Sequence, residues 1–195
     1  MNNIVQIISK YPQYVEKRRF KANETIFLEN DTCEAVGIIK SGEISIKSYF
    51  ANGKEVVYNV IEEGKMFGNN LIFSSKPEYR GDVIAEKETE IYFVSRTNLI
   101  KLLKQDEEFM ILYLSMQSDF SKTLNLKIKL LTIPSATDRL LYYLTFNKNK
   151  ITYKSITRLA NELYLARESL SRTIKKLTDK KIIKHTNKAI TLMVD

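Results

Sequence analysis

Arg167-Glu168-Ser169-Leu170-Ser171-Arg172 sets two arginines, a carboxylate and two hydroxyls at the start of a run whose apolar positions Leu170, Ile174 and Leu177 recur at helical spacing. At roughly 100° per residue these three occupy an arc of about 60°, while Arg167, Glu168, Ser171, Arg172 and Lys175 share a separate arc of about 140°. Just upstream, Ser155 reads as the cap of a preceding helix, because its hydroxyl can accept from a free N–H of the opening turn. Ile156, Leu159, Ala160 and Leu163 follow at i, i+3, i+4 and i+7, and Tyr164 and Leu165 fall in the turn between the helices. Two short helices, the second with a polar arc rich in arginine, predict a helix-turn-helix whose second helix enters a DNA major groove.

Amphipathic helices with solvated charges are common without any nucleic-acid role, so the placement of charge decides between the readings. Ser135 to Asp195 holds 13 Lys/Arg against 5 Asp/Glu, whereas Met1 to Pro134 holds 18 of each. The whole net charge of +8 therefore lies in the C-terminal third. Attraction to a phosphate backbone requires such segregation, since each neutralised phosphate releases condensed counterions. A merely solvated surface does not.

The remaining composition excludes several classes. With 195 residues, 44% of them hydrophobic, and only 6 Gly and 3 Pro, the chain is expected to fold as one large or two small domains. No apolar run approaches the roughly 20 residues that cross a bilayer, and Met1-Asn2-Asn3-Ile4 has no signal-peptide character, so a cytoplasmic location without membrane contact is expected. A single cysteine, Cys33, cannot form an intrachain disulfide or by itself hold zinc or an iron–sulfur cluster. The one histidine, His185, lies in the basic part and is expected to face solvent or a phosphate, and no metal site is expected. Enzymatic chemistry is not expected: there is no glycine-rich phosphate loop, no histidine upstream for a triad, and no carboxylate cluster with metal spacing.

Ile4, Ile7, Ile8 and Tyr11 predict a short helix ended by Pro12. From Glu24 to Val94 the period changes to short β-prone runs: Thr25 to Phe27, Val36 to Lys40, Ile44 to Tyr49, Val56 to Ile61, Val83 to Ala85 and Ile91 to Val94. Asn30-Asp31, Ser41-Gly42, Asn52-Gly53, Glu63-Gly64 and Lys76-Pro77 punctuate them. Asn52-Gly53 is the strongest hairpin signal, because both residues tolerate positive φ. Many short strands imply a sandwich or barrel. Helical spacing returns near Thr97 and continues through Glu107 to Leu131, where Phe109, Tyr113, Met116, Phe120 and Thr123 step by four and three and Leu124, Ile128 and Leu131 extend the flank. A helix of about 25 residues, roughly 37 Å, outruns the side of a small barrel. The seam is therefore expected to pair with a second copy, through Phe109, Tyr113, Met116, Phe120 and Leu124. Ile133-Pro134-Ser135 breaks the helix, with Ser135 capping the next.

This order of elements resembles the CRP/FNR family of bacterial transcription regulators over nearly the whole chain. The resemblance rests on the glycines of Ile38-Ile39-Lys40-Ser41-Gly42-Glu43-Ile44, Asn52-Gly53-Lys54-Glu55 and Gly64-Lys65-Met66-Phe67-Gly68, and on the string Arg167 to Arg172. It implies an α+β fold: an N-terminal cyclic-nucleotide-binding-like β-roll (jelly roll) over 1–106, a long dimerisation helix and hinge over 107–133, and a winged helix-turn-helix over 134–195. It also implies a homodimer on an inverted-repeat operator in double-stranded DNA, with RNA polymerase as a partner and a small-molecule effector in the roll.

Arg167, Glu168 and Arg172 match the base-contacting positions of the cyclic-AMP receptor branch, and Glu168, Ser171 and Arg172 match the E-x-x-S-R signature of the FNR branch. Such a helix suits a G·C pair, because Arg can bond guanine O6 and N7 and Glu can accept from cytosine N4. Lys175, Lys176 and Lys188 are assigned to phosphates, and Ser155 and Ser171 complete the DNA-facing set. Two positions depart from the family: Tyr164 stands where the turn commonly has glycine, and Ala166 replaces the Ser/Thr cap.

The effector set that the resemblance implies is Gly68, Asn69, Asn70, Tyr79, Arg80, Leu124 and Asn125. Asn69 stands where nucleotide-binding members carry a glutamate for the ribose, and Tyr79 where they carry an arginine for the phosphate, with Arg80 one residue late. Leu124 and Asn125 replace a hydroxyl pair. Cyclic AMP is therefore not expected, the iron–sulfur cysteines of the FNR proteins are absent, and the cofactor or effector stays unknown. The alternative class is a cyclic-nucleotide-sensing signalling module whose C-terminal helices dock another protein. A docking surface would expose apolar anchors, whereas this arc is basic and polar.

Overall fold

The computed structural model describes residues 4–49, 53 and 55–193. The chain divides into two compact units, Met1–Asp119 and Phe120–Asp195, with the longest helix passing from one into the other.

Unit 1 opens with α1 (Ile4–Ile8) and a 3-10 turn (Pro12–Tyr14), followed by β1 (Glu16–Phe20), β2 (Thr25–Phe27), β3 (Ala35–Ser41), β4 (Glu43–Tyr49), β5 (Glu55–Glu62), β6 (Met66–Phe67), β7 (Asp82–Ala85) and β8 (Thr89–Ser95). These form two antiparallel four-stranded sheets, ordered β1-β8-β3-β6 and β2-β7-β4-β5. Ile38, Ile39, Ile44, Phe67, Val83, Ile91 and Val94 fill the space between them. Gly42 turns β3 into β4 at φ 102°, a left-handed conformation that suits glycine, and a Cβ there would also strike Thr89. Of the expected Asn52-Gly53 hairpin, Asn52 lies outside the described residues, while Gly53 has φ 77°.

β1 went unread in the sequence because Glu16-Lys17-Arg18-Arg19 carries no apolar alternation. It is an edge strand that pairs through its backbone with β8 and keeps its charges in water.

Ser95 caps α2 (Arg96–Gln105), accepting from Asn98 N, and Asp106 starts α3 (Glu107–Thr132), its Oδ1 accepting from Phe109 N at 2.9 Å. The first residues of the expected dimer seam are covered within unit 1. Phe109 and Tyr113, 1% and 4% exposed, sit in unit 1's own core, and Met116 packs partly buried against it. The opening turns of α3 close the roll, which covers these three residues, whereas Phe120 is half-buried and Leu124 is exposed.

Unit 2 contains α4 (Ala136–Phe146), β9 (Lys150–Thr152), α5 (Ile156–Glu162), α6 (Arg167–Asp179), β10 (Ile183–Thr186) and β11 (Ala189–Leu192). Its small sheet, ordered β10-β11-β9, is antiparallel, and the β10–β11 hairpin forms a wing. Leu140, Leu144, Leu159, Leu163, Leu170, Ile174 and Ile190 make the core. Ser135 caps α4 as expected, accepting from Asp138 N. Among the described residues no helix is long and apolar enough to cross a membrane.

Candidate nucleic-acid interface

Ser155 caps α5, its hydroxyl accepting from Arg158 N at 3.1 Å. The chain then turns through Tyr164, which takes φ 53°, a left-handed conformation that costs a non-glycine residue about 1–2 kcal/mol. Arg139 braces this turn, donating from Nη1 to the carbonyl oxygens of Leu163 at 3.3 Å and Tyr164 at 2.8 Å, and from Nε to that of Ile133. Carbonyls at the end of α5, without intrahelical partners, thus meet a cation.

α6 begins at Ala166 without a side-chain cap. Its uncapped N–H groups and the first-turn carboxylate of Glu168 sit at the positive end of the helix dipole. Leu170, Thr173, Ile174 and Leu177 are buried, while Arg167, Glu168, Ser171, Arg172, Lys175 and Lys176 are all exposed. Thr173 spends its hydroxyl on the Ser169 carbonyl oxygen at 2.9 Å, so burial leaves it satisfied. Arg167, Arg172, Lys175, Lys176 and Lys188 form no ion pair among the described residues, a property of groups available to an external anion. Lys188, at φ 61°, is at the tip of the wing.

A groove of about 390 Å³ runs between α6 and the wing, lined by residues that include Tyr153, Ile156, Ser171, Ile174, Lys175 and His185. On its wall Tyr153 and His185 stack at 6.2 Å, and the Tyr153 hydroxyl lies 2.7 Å from His185 Nε2. The hydroxyl and the imidazole nitrogen share one hydrogen bond. Burial pushes the Tyr153 hydroxyl above its ordinary range. Sequence reasoning did not single out Tyr153, because nothing local to Lys150–Thr152 marks the approach of β10 from more than thirty residues away.

Within unit 1, part of the expected effector set gathers at the turn after β6, where a Cβ on Gly68 would lie 3.5 Å from the Tyr79 hydroxyl. Gly68 and Asn69 are buried in the turn after β6, and Asn70 is exposed. Tyr79 is 2% exposed, its ring stacked on Phe27 at 4.6 Å and 13°, and burial drives its hydroxyl far above the ordinary phenol range. Arg80, one residue on, is exposed. The roll thus presents a phenol, not a guanidinium, to its interior. Leu124 and Asn125 are exposed on the part of α3 that belongs to unit 2.

Residues 17–106 match the cyclic nucleotide-binding domain family. The cAMP-activated global transcriptional regulator Vfr of Pseudomonas aeruginosa is 27% identical over 106 residues, 53% of this chain and 50% of Vfr, so the match spans about half of that relative's length. A CooA mutant from Carboxydothermus hydrogenoformans superposes with a TM-score of 0.71 at 16% identity, covering 98% of this chain and 91% of CooA. The catabolite activator protein of Thermus thermophilus gives 0.56 at 17%, covering 99% of this chain and 91% of that one. The β-roll thus lies within the stretch that matches the cyclic nucleotide-binding domain family. Over nearly its whole length the chain shares the fold of the CooA and catabolite activator protein structures.

Proposed function

We propose that this chain is a sequence-specific DNA-binding transcription regulator, acting as a homodimer on an inverted-repeat operator, with RNA polymerase as its partner and an unidentified effector or none. The observation that carries this reading is α6: its apolar face is buried, and its exposed arc holds Arg167, Glu168, Ser171 and Arg172. Arg167, Glu168 and Arg172 read bases, and Lys175, Lys176 and Lys188 meet phosphates along with Ser155 and Ser171. The net charge of +8 carried by Ser135 to Asp195 supports the same assignment.

The dimer seam moves along α3 to its exposed apolar stripe. Leu114, Leu124, Ile128 and Leu131 are 55%, 42%, 61% and 56% exposed. Leu114 and Ile128 are two heptads apart with Ser121 between, and Leu124 and Leu131 one heptad apart, the repeat that brings two helices together in a coiled coil. Burying four such side chains against a second copy removes apolar area that an isolated chain leaves in water. The working divisions under this reading are a sensor over 1–106, a dimerisation helix over 107–133 and a DNA-binding part over 134–195.

Selection of bound sequences from a random DNA pool tests the proposal. An inverted repeat with a G·C pair in each half-site is expected. A protein that enriches no sequence overturns it.

A further inference from the structure

Within unit 1 the side-chain amide of Gln117, on α3, bonds both the side chain and the backbone of Asn69, in the turn after β6. Asn69 Nδ2 donates to Gln117 Oε1 at 2.6 Å, and Gln117 Nε2 donates back to the Asn69 carbonyl oxygen at 2.8 Å. Gln117 Nε2 also reaches the Tyr113 hydroxyl at 3.1 Å, and that hydroxyl donates to the same Asn69 carbonyl at 3.3 Å. Chemistry dictates the orientation: a backbone carbonyl only accepts, so Gln117 turns its nitrogen there and leaves its oxygen for Asn69 Nδ2. Buried Asn69 thus has its side-chain Nδ2 and its backbone carbonyl both engaged by α3, which makes the contact costly to open by halves.

The same turn is held from its other side. Gly68 takes φ 74°, and a Cβ there would lie 3.0 Å from Cys33 Sγ and 3.1 Å from the Ala35 carbonyl, so the backbone is pressed against the start of β3. Leu71 N and Ile72 N both bond to the Gly68 carbonyl, and Ile72 is buried. Beneath it the roll is filled by Phe27, Phe67, Tyr79 and Phe93, whose ring centroids in the contacting pairs lie 4.6 to 6.5 Å apart.

We infer that the Asn69–Gln117 pair is an intramolecular latch that holds the turn after β6 against α3, so that the sensor unit is fixed by its own side chains and operator binding is independent of a cyclic nucleotide. A ligand shifts such a unit only by contacts that differ between its arrangements. The chain itself bridges the turn and the helix, so the bridged arrangement is favoured without a ligand, and cutting the bridge is what changes the population. The second half of this inference rests on the DNA-binding reading above.

The test uses the full chain, with hydrogen exchange of the amides of residues 69–72 and titration of DNA recovered from the random pool. In Gln117→Leu those amides exchange about tenfold faster and operator affinity falls about tenfold, while the selected sequence stays the same because α6 is untouched. Gln117→Glu still accepts from Asn69 Nδ2 but opposes the Asn69 carbonyl with an oxygen. It moves both readouts the same way, which separates the latch from a packing effect of leucine. Ser118→Ala, on the exposed side of the same turn of α3, moves neither. Unchanged exchange in both Gln117 variants overturns the latch, and faster exchange with unaltered operator affinity overturns its control over DNA. If the wild type enriches no DNA at all, the regulator reading fails together with that control, and the exchange measurement alone decides the latch.

Discussion

Arg139 Nη1 donates to the carbonyl oxygen of Tyr164 at 2.8 Å, and Tyr164 is the residue whose φ of 53° turns the chain from α5 into α6. A guanidinium on α4 thereby braces the turn that leads into α6. Arg139→Met keeps the stem and removes the donors, and a cost of about 1–2 kcal/mol is expected, since the bonds are charge-assisted but partly wet. The urea midpoint should fall with its slope unchanged. An unaltered midpoint removes the strut from the account.

Ala166 leaves the N-terminus of α6 without a side-chain acceptor. Ala166→Ser supplies one and should raise stability by about 1 kcal/mol, the ordinary value of a cap. Thermal unfolding measures it, and a loss of stability would mean that the extended geometry of residue 166 cannot seat the hydroxyl.

The exposed stripe on α3 and its buried neighbours should respond oppositely. Leu124→Glu with Ile128→Glu sets carboxylates at the proposed two-fold seam, and sedimentation should then show a folded monomer. Phe109→Ala instead empties a site in unit 1's core and should cost about 3–5 kcal/mol without this selective loss of association. A double mutant that stays dimeric places the interface elsewhere.

Cyclic AMP at millimolar concentration should give no saturable heat and no change in DNA binding. Tyr79 puts a buried, stacked phenol where a phosphate would need a cation, Arg80 lies on the exposed side, and Asn69 is spent on Gln117. Micromolar binding by titration calorimetry would show that Arg80 can swing inward.

Base readers and phosphate binders separate by salt. Arg172→Ala should cost about 1–3 kcal/mol on the operator and relax preference at one base pair per half-site. Lys175→Ala should weaken operator and scrambled DNA alike and lessen the salt slope by about one unit for each phosphate that is no longer neutralised. Equal weakening of both DNAs by Arg172→Ala would take base recognition away from α6.

Whatever depends on near neighbours along the chain was written in the residues themselves. Ser155 and Ser135 are legible as caps because a hydroxyl and a free N–H three residues on are local partners, and α6 is legible because its two arcs follow from helical period alone. The strands between Thr25 and Val94 show through their apolar runs and turn residues. Folding in three dimensions settled whatever depends on a surface arriving from elsewhere. The spacing of Phe109 and Tyr113 marks an apolar face but not its cover, and the roll claimed them, leaving Leu114, Leu124, Ile128 and Leu131 outside. β1 exists through backbone bonds to a strand some seventy residues away, which side-chain pattern does not encode. Asn69 and Gln117, 48 residues apart, are two ordinary amides until folding removes water from between them, because a hydrogen-bond partner is chosen by proximity in space and not by spacing along the chain.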